Sequence, residues 1–133
     1  MRDTLTELFD REFVESQEAL GMHIIGQFRD LDDPDRFVWL RGFPDMARRA
    51  EALQAFYGGP VWKAHRDVAN ATMIDSDNVL LLRPARTISG FQLGDGHRHP
   101  PGMNSLPEEI LIATIYYSNT PLAMNLSTSS NAR

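Results

Sequence analysis

Residues 22–43 read MHIIGQFRDLDDPDRFVWLRGF, two apolar stretches joined by an aspartate-rich connection. In the first stretch Met22, Ile24, Gly26 and Phe28 point one way and His23, Ile25, Gln27 and Arg29 the other, which is the period of a β-strand. Pro34 fixes φ in the connection, and the aspartates there accept from nearby backbone N–H groups, so the chain turns. Residues 36–43 then form a returning strand, with Phe37, Trp39 and Phe43 on one face and Val38 and Leu40 on the other. A sheet wet on one side alternates apolar with polar residues. This one is apolar on both sides, which calls for cover on both.

The flanks carry helical periods. Asp3 or Thr4 caps a first helix, Glu7 completes a capping box with Thr4, and Leu5, Leu8, Phe9, Phe13 and Ser16 or Leu20 make its stripe. Gly21 ends it. Pro44 and Asp45 open a second helix striped by Met46, Ala50, Leu53 and Phe56 or Tyr57, and Gly58 and Gly59 terminate it. Pro60 takes the first position of a third helix, where no N–H is needed, and Val61, His65, Val68, Ala69 and Thr72 share a face. A turn at residues 75–78 leads to a short strand at 79–83, again apolar on both sides. Residues 85–108, rich in glycine and proline, read as a linker, because so long a structureless loop is uncommon inside a compact domain. Residues 110–117, ILIATIYY, are a further strand, and the small polar tail 127–133 frays.

The chain of 133 residues suits one compact domain, or one domain plus a fragment of another, and 42% hydrophobic with 23% charged residues is the balance of a globular protein. Thirteen basic against eighteen acidic side chains leave a net charge of −5 with no basic cluster. Neither nucleic acid nor a membrane is therefore an expected partner. No apolar run approaches the ~20 residues that span a bilayer, and no signal core follows Met1. Cysteine is absent, which removes disulfides and thiolate chemistry and fits a cytoplasmic location.

Residues 28–43, FRDLDDPDRFVWLRGF, together with 56–66, FYGGPVWKAHR, and 67–73, DVANATM, resemble the NIPSNAP family. The likeness covers roughly residues 3–84. It implies an α+β fold, a ferredoxin-like α/β sandwich with an antiparallel sheet, whose units form a homodimer through the sheet face as a dimeric α/β barrel. The expected organisation is a ferredoxin-like domain at 1–84, a linker at 85–108, and a segment at 109–133 that completes the sheet or begins a second domain before the frayed tail. Members of the family begin with a strand before the first helix, whereas Met1 stands at the helix. That strand is central in such a sheet, so its loss leaves N–H and C=O groups unpaired on two neighbours. Either the true start lies upstream, or residues 110–117, from the same chain or a partner's, fill the vacant place.

His65 lies on the apolar face of the third helix, either as a neutral, hydrogen-bonded core imidazole or as a polar group lining a pocket between helices and sheet. Gln27 and Arg41, on neighbouring strands, would converge with it on a small anionic or carbonyl ligand; the plainer role for Arg41 is a rim ion pair. Trp39, Tyr57 and Trp62 supply apolar area, by default to the core or the dimer and otherwise to the same pocket. The aspartates at 30, 32, 33 and 35 do not form an EF-hand, because the sixth position lacks glycine and Arg41 stands where the bidentate glutamate belongs. His97 and His99 lack a carboxylate at fixed spacing. Gly58 and Gly59 precede no Lys-Ser/Thr, and no Gly-x-Ser-x-Gly occurs. No metal or cofactor is expected. Two functions remain: a homodimeric module of undefined activity with a possible small-molecule ligand, or a cofactor-independent enzyme, monooxygenase- or isomerase-like, with His65 as acid/base and Arg41 as oxyanion partner. The first is preferred, because no nucleophile–base pair can be assembled from the sequence.

Overall fold

A computed structural model describes residues 2–92 and 108–121. They group into two compact units, residues 2–79 and residues 80–92 with 108–121. The first unit holds all the regular structure: α1 (Arg2–Leu8), a π-helical turn (Phe9–Phe13), α2 (Val14–Glu18), β1 (His23–Arg29), β2 (Phe37–Gly42), α3 (Met46–Tyr57) and α4 (Pro60–Ala71). The class is α+β. Among the described residues, no helix is long and apolar enough to cross a membrane.

The first helix begins at Arg2, so Asp3 and Thr4, the two expected caps, both lie within its first turn. The Arg2 guanidinium donates from Nη1 to the carbonyls of Asp30 (3.0 Å) and Asp33 (3.2 Å), which ties the helix start to the turn between the strands. At Phe9–Phe13 the helix widens, and Val14 N–H donates to Phe9 O, five residues back. The extra residue accommodated by a π-turn rotates the next helical turn about the axis. As a result Phe9, Phe13, Val14 and Gln17 are all buried. Gly21 ends the segment with φ 87°, a left-handed conformation that glycine adopts without steric cost.

The strands pair antiparallel, with Ile24 opposite Arg41, Gly26 opposite Leu40, Gln27 opposite Trp39 and Arg29 opposite Phe37. The register slips between Ile24 and Gly26, so Ile25 is the extra residue of a β-bulge. The slip overturns the simple alternation expected for this strand: Ile24, Gln27 and Arg29 share a face, and Gly26 and Phe28 share the other. The first of these faces meets the helices. It carries Phe37 and Trp39, which pack against a core that includes Leu8, Phe9, Phe13, Ile24 and Phe56. The second face carries Phe28, Val38 and Leu40, and Ile25 Cδ1 lies over Gly42 on the same side.

Asp45 caps α3, its Oδ1 accepting from Arg48 N–H at 2.7 Å. Gly58 and Gly59 separate α3 from α4, and Pro60 occupies the first turn of α4. A β-carbon at Gly59 would fall 2.6 Å from Ala55 O, so the tight passage between the helices requires glycine. Both helices follow their expected stripes in part: Phe56 and Ala69 are buried and Leu53 and Val61 pack against the core, whereas Met46 and Val68 are 58% and 51% exposed and Ala52, outside the stripe, is buried.

Two stretches read as strands differ in the structure. Residues 79–83 and 110–117 carry no strand assignment, and the only sheet among the described residues is β1–β2. Within the single chain, therefore, residues 110–117 are not paired with β1 or β2. Apolar alternation makes a segment suitable for a strand, but the ladder comes from a neighbour's N–H and C=O groups. These residues are exposed along their length.

Candidate functional site

The rim of the helix-facing side of the sheet is organised around Arg41. Position 41 on β2 puts its guanidinium over the Trp39 ring, 4.3 Å from the centroid. Its Nη1 donates to Gln17 Oε1 at 2.8 Å, and its Nη2 lies 3.3 Å from the Tyr57 hydroxyl. Gln17 is wholly buried and also donates from Nε2 to Phe13 O at 3.0 Å. The π-turn therefore places a buried amide whose two ends are both engaged, one by the helix backbone and one by Arg41. A buried amide hydrogen-bonded at both ends keeps a fixed orientation, and it holds the guanidinium in turn.

Trp39 and Trp62 are core aromatics. Trp39 stacks edge-on to Phe9 at 4.6 Å between centroids, and Trp62 lies 5.6 Å from Phe13 and 5.0 Å from Tyr57. Each such pair contributes on the order of 0.5–1.5 kcal/mol beyond area burial. Tyr57 bridges the two groups: its ring packs on Trp62 and its hydroxyl faces Arg41.

His65 is not engaged with Arg41 or Gln27. Its Nε2 lies 3.5 Å from Glu12 Oε2, and its ring meets Phe13 edge-on at 6.2 Å. Glu12 Oε1 in turn accepts from Arg11 Nε at 2.8 Å. Neither Glu12 nor Gln17 stands out in the sequence. Their places depend on the π-turn, which an ordinary helical period does not reveal. Gln27 sits opposite Trp39 on β1, so it shares the helix-facing side with Arg41.

An open cleft of about 220 Å³ is lined by Leu20, Gly21, Pro44, Arg48, Glu51, Ala52 and Ala55. That volume is below the ~300–1,000 Å³ usual for small-molecule sites. Gln27, Trp39, Arg41, Tyr57, Trp62 and His65, the candidates read from the sequence, do not line it.

The aspartate turn is engaged by its own backbone. Asp30 Oδ1 accepts from Asp32 N–H (2.8 Å) and Asp33 N–H (3.2 Å), and its Oδ2 from Arg36 Nη1 (3.0 Å). The backbone N–H of Asp32, with that of Asp33 and the Arg36 guanidinium, holds the Asp30 carboxyl below its ordinary value, against an opposing effect of desolvation. No group of three His, Cys, Asp or Glu side chains able to hold a metal occurs among the described residues. His97 and His99 lie outside them.

Two outcomes are expected of this geometry. Gln17→Leu keeps the volume but removes the Nε2 donor to Phe13 O and the Oε1 acceptor of Arg41 Nη1, so urea unfolding should show a loss on the order of 1–3 kcal/mol; an unchanged midpoint contradicts the network. An NMR titration should find Asp30 protonating below an ordinary aspartate. Its contribution to stability is present above the unfolded-state value and is lost as pH falls through the lowered folded one. In Asp30→Asn that acid-range loss should shrink, and an identical pH profile for both proteins contradicts the assignment.

No family model, curated protein or solved structure matches the chain.

Proposed function

We propose that the chain is a self-associating module of the ferredoxin-like, dimeric α/β-barrel type, similar to NIPSNAP proteins, that pairs with a second copy through the outward face of its sheet. The observation that carries this reading is the face itself. The helices cover the side bearing Phe37 and Trp39, while the opposite side presents Ile25, Phe28, Val38 and Leu40, with the exposed His23 at its margin opposite Gly42. Val38 is 38% exposed in the single chain, and Ile25, Phe28 and Leu40 are half-buried. Each large apolar side chain withdrawn fully from water contributes roughly 1.5–3 kcal/mol. Two copies of this face laid together would gain the part of that contribution that corresponds to the area still exposed on each side chain.

For the small-ligand part of this reading, the Arg41 guanidinium and the Tyr57 hydroxyl at the rim offer the polar partners. The enzyme reading draws support from a different feature, the His65–Glu12 pair at the π-turn. Turns of that kind recur at functional sites, and a carboxylate beside an imidazole is the usual way to orient an acid/base. Fold likeness adds little to that reading, because one scaffold hosts many chemistries.

Leu40→Glu places a charge in the centre of the outward face without touching the helix-facing core. The wild-type chain should give a dimer mass by light scattering, and the variant a monomer mass with its helical circular dichroism retained. A wild-type monomer at every concentration contradicts the proposal, as does a dimer that the variant leaves intact.

A further inference from the structure

Residues 110–117, ILIATIYY, hold no charge and are apolar on both faces of an extended chain, yet they make no strand pairing among the described residues. Ile112, Tyr116 and Tyr117 are 85%, 90% and 83% exposed, and Ile110, Leu111 and Ile115 are exposed as well. Each strand of the sheet is likewise paired on one side only among the described residues. The two free edges are not equivalent. The edge strand β1 carries the bulge at Ile25, and Ile24 N–H donates to the Glu18 carboxylate at 3.4 Å. A bulge and an inward-reaching charged group are two of the ways in which native sheets block further pairing. Strand β2, regular from Phe37 to Gly42 and free of proline, shows neither device.

We infer that residues 110–117 of one copy add as a strand to the free edge of β2 of a second copy, so that the proposed self-association includes a reciprocal strand exchange. The inference rests on that self-association and specifies part of its contact. Main-chain bonds along the edge supply affinity, and the alternating side chains extend both apolar layers of the sheet. One face of ILIATIYY carries Ile110, Ile112, Thr114 and Tyr116, and the other Leu111, Ala113, Ile115 and Tyr117. Either set can continue the outward layer of Val38 and Leu40 while the other continues the layer of Phe37 and Trp39. Charge does not oppose the approach, since Arg41, the one charged residue of β2, lies on the helix-facing side.

The test uses the full chain at a concentration where light scattering gives a dimer mass, with amide hydrogen exchange and a sample mixing isotopically labelled and unlabelled copies. The inference expects slowed exchange at residues 112–116 and nuclear Overhauser contacts from one copy's Thr114 region to the other copy's Leu40 region. Thr114→Pro, which removes a ladder donor from the middle of the segment, should abolish both. Protection that persists after dilution to monomer mass places the strand within its own chain and overturns the exchange. Unprotected amides in a dimer that Leu40→Glu splits also overturn it, while leaving the face-to-face pairing intact. A chain that is monomeric throughout overturns both.

Discussion

The structure depends on one mismatch: among the described residues the sheet has two strands that bear large apolar side chains on both faces, and the helices cover only one of them. Everything described in the first unit serves the covered face. Arg2 fastens the start of α1 to the turn between the strands, the π-turn swings Phe9, Phe13 and Gln17 inward, and Ala52, Phe56 and Ala69 bring α3 and α4 against them. On the other face, Phe28, Val38 and Leu40 have no such layer among the described residues of the first unit. Burial of apolar area is the largest favourable contribution to folding, so an uncovered face of this composition is a standing tendency to associate.

The polar network at the rim is consistent with a part fixed for shape. Gln17 is held at both ends, and the Arg41 guanidinium is directed by Gln17, Trp39 and Tyr57 together. Such groups specify one arrangement of a core because any other arrangement leaves buried donors and acceptors unpaired. The His65–Glu12 pair differs in kind. It lies on the helix layer, about one-third exposed, and joins a titratable ring to a carboxylate.

What was legible in the sequence was the punctuation. Asp45 as a cap, Gly58–Gly59–Pro60 as a helix-to-helix passage, Gly21 as a stop and the aspartate turn each arise from the chemistry of a few adjacent residues. The strands of residues 22–43 were legible too, because an alternating run bounded by a turn has few other readings. The lost information was rotational. A one-residue bulge at Ile25 moved Gln27 to the helix-facing side, and a one-residue widening at Phe9–Phe13 brought Glu12 to His65 and buried Gln17. Neither insertion leaves a mark in an averaged period. The third kind of information was never local. Residues 79–83 and 110–117 have strand composition, but whether they pair depends on where a neighbour's backbone lies.

Whether the outward face is covered in solution is the question on which the account turns, and a soluble paramagnetic probe answers it directly by relaxing exposed methyl groups. The methyls of Ile25, Val38 and Leu40 are predicted to be shielded at concentrations where the chain associates, with Val68 on the exposed side of α4 as the internal reference. Relaxation of the three sheet methyls as strong as that of Val68 would mean that water covers the face, and would contradict the account.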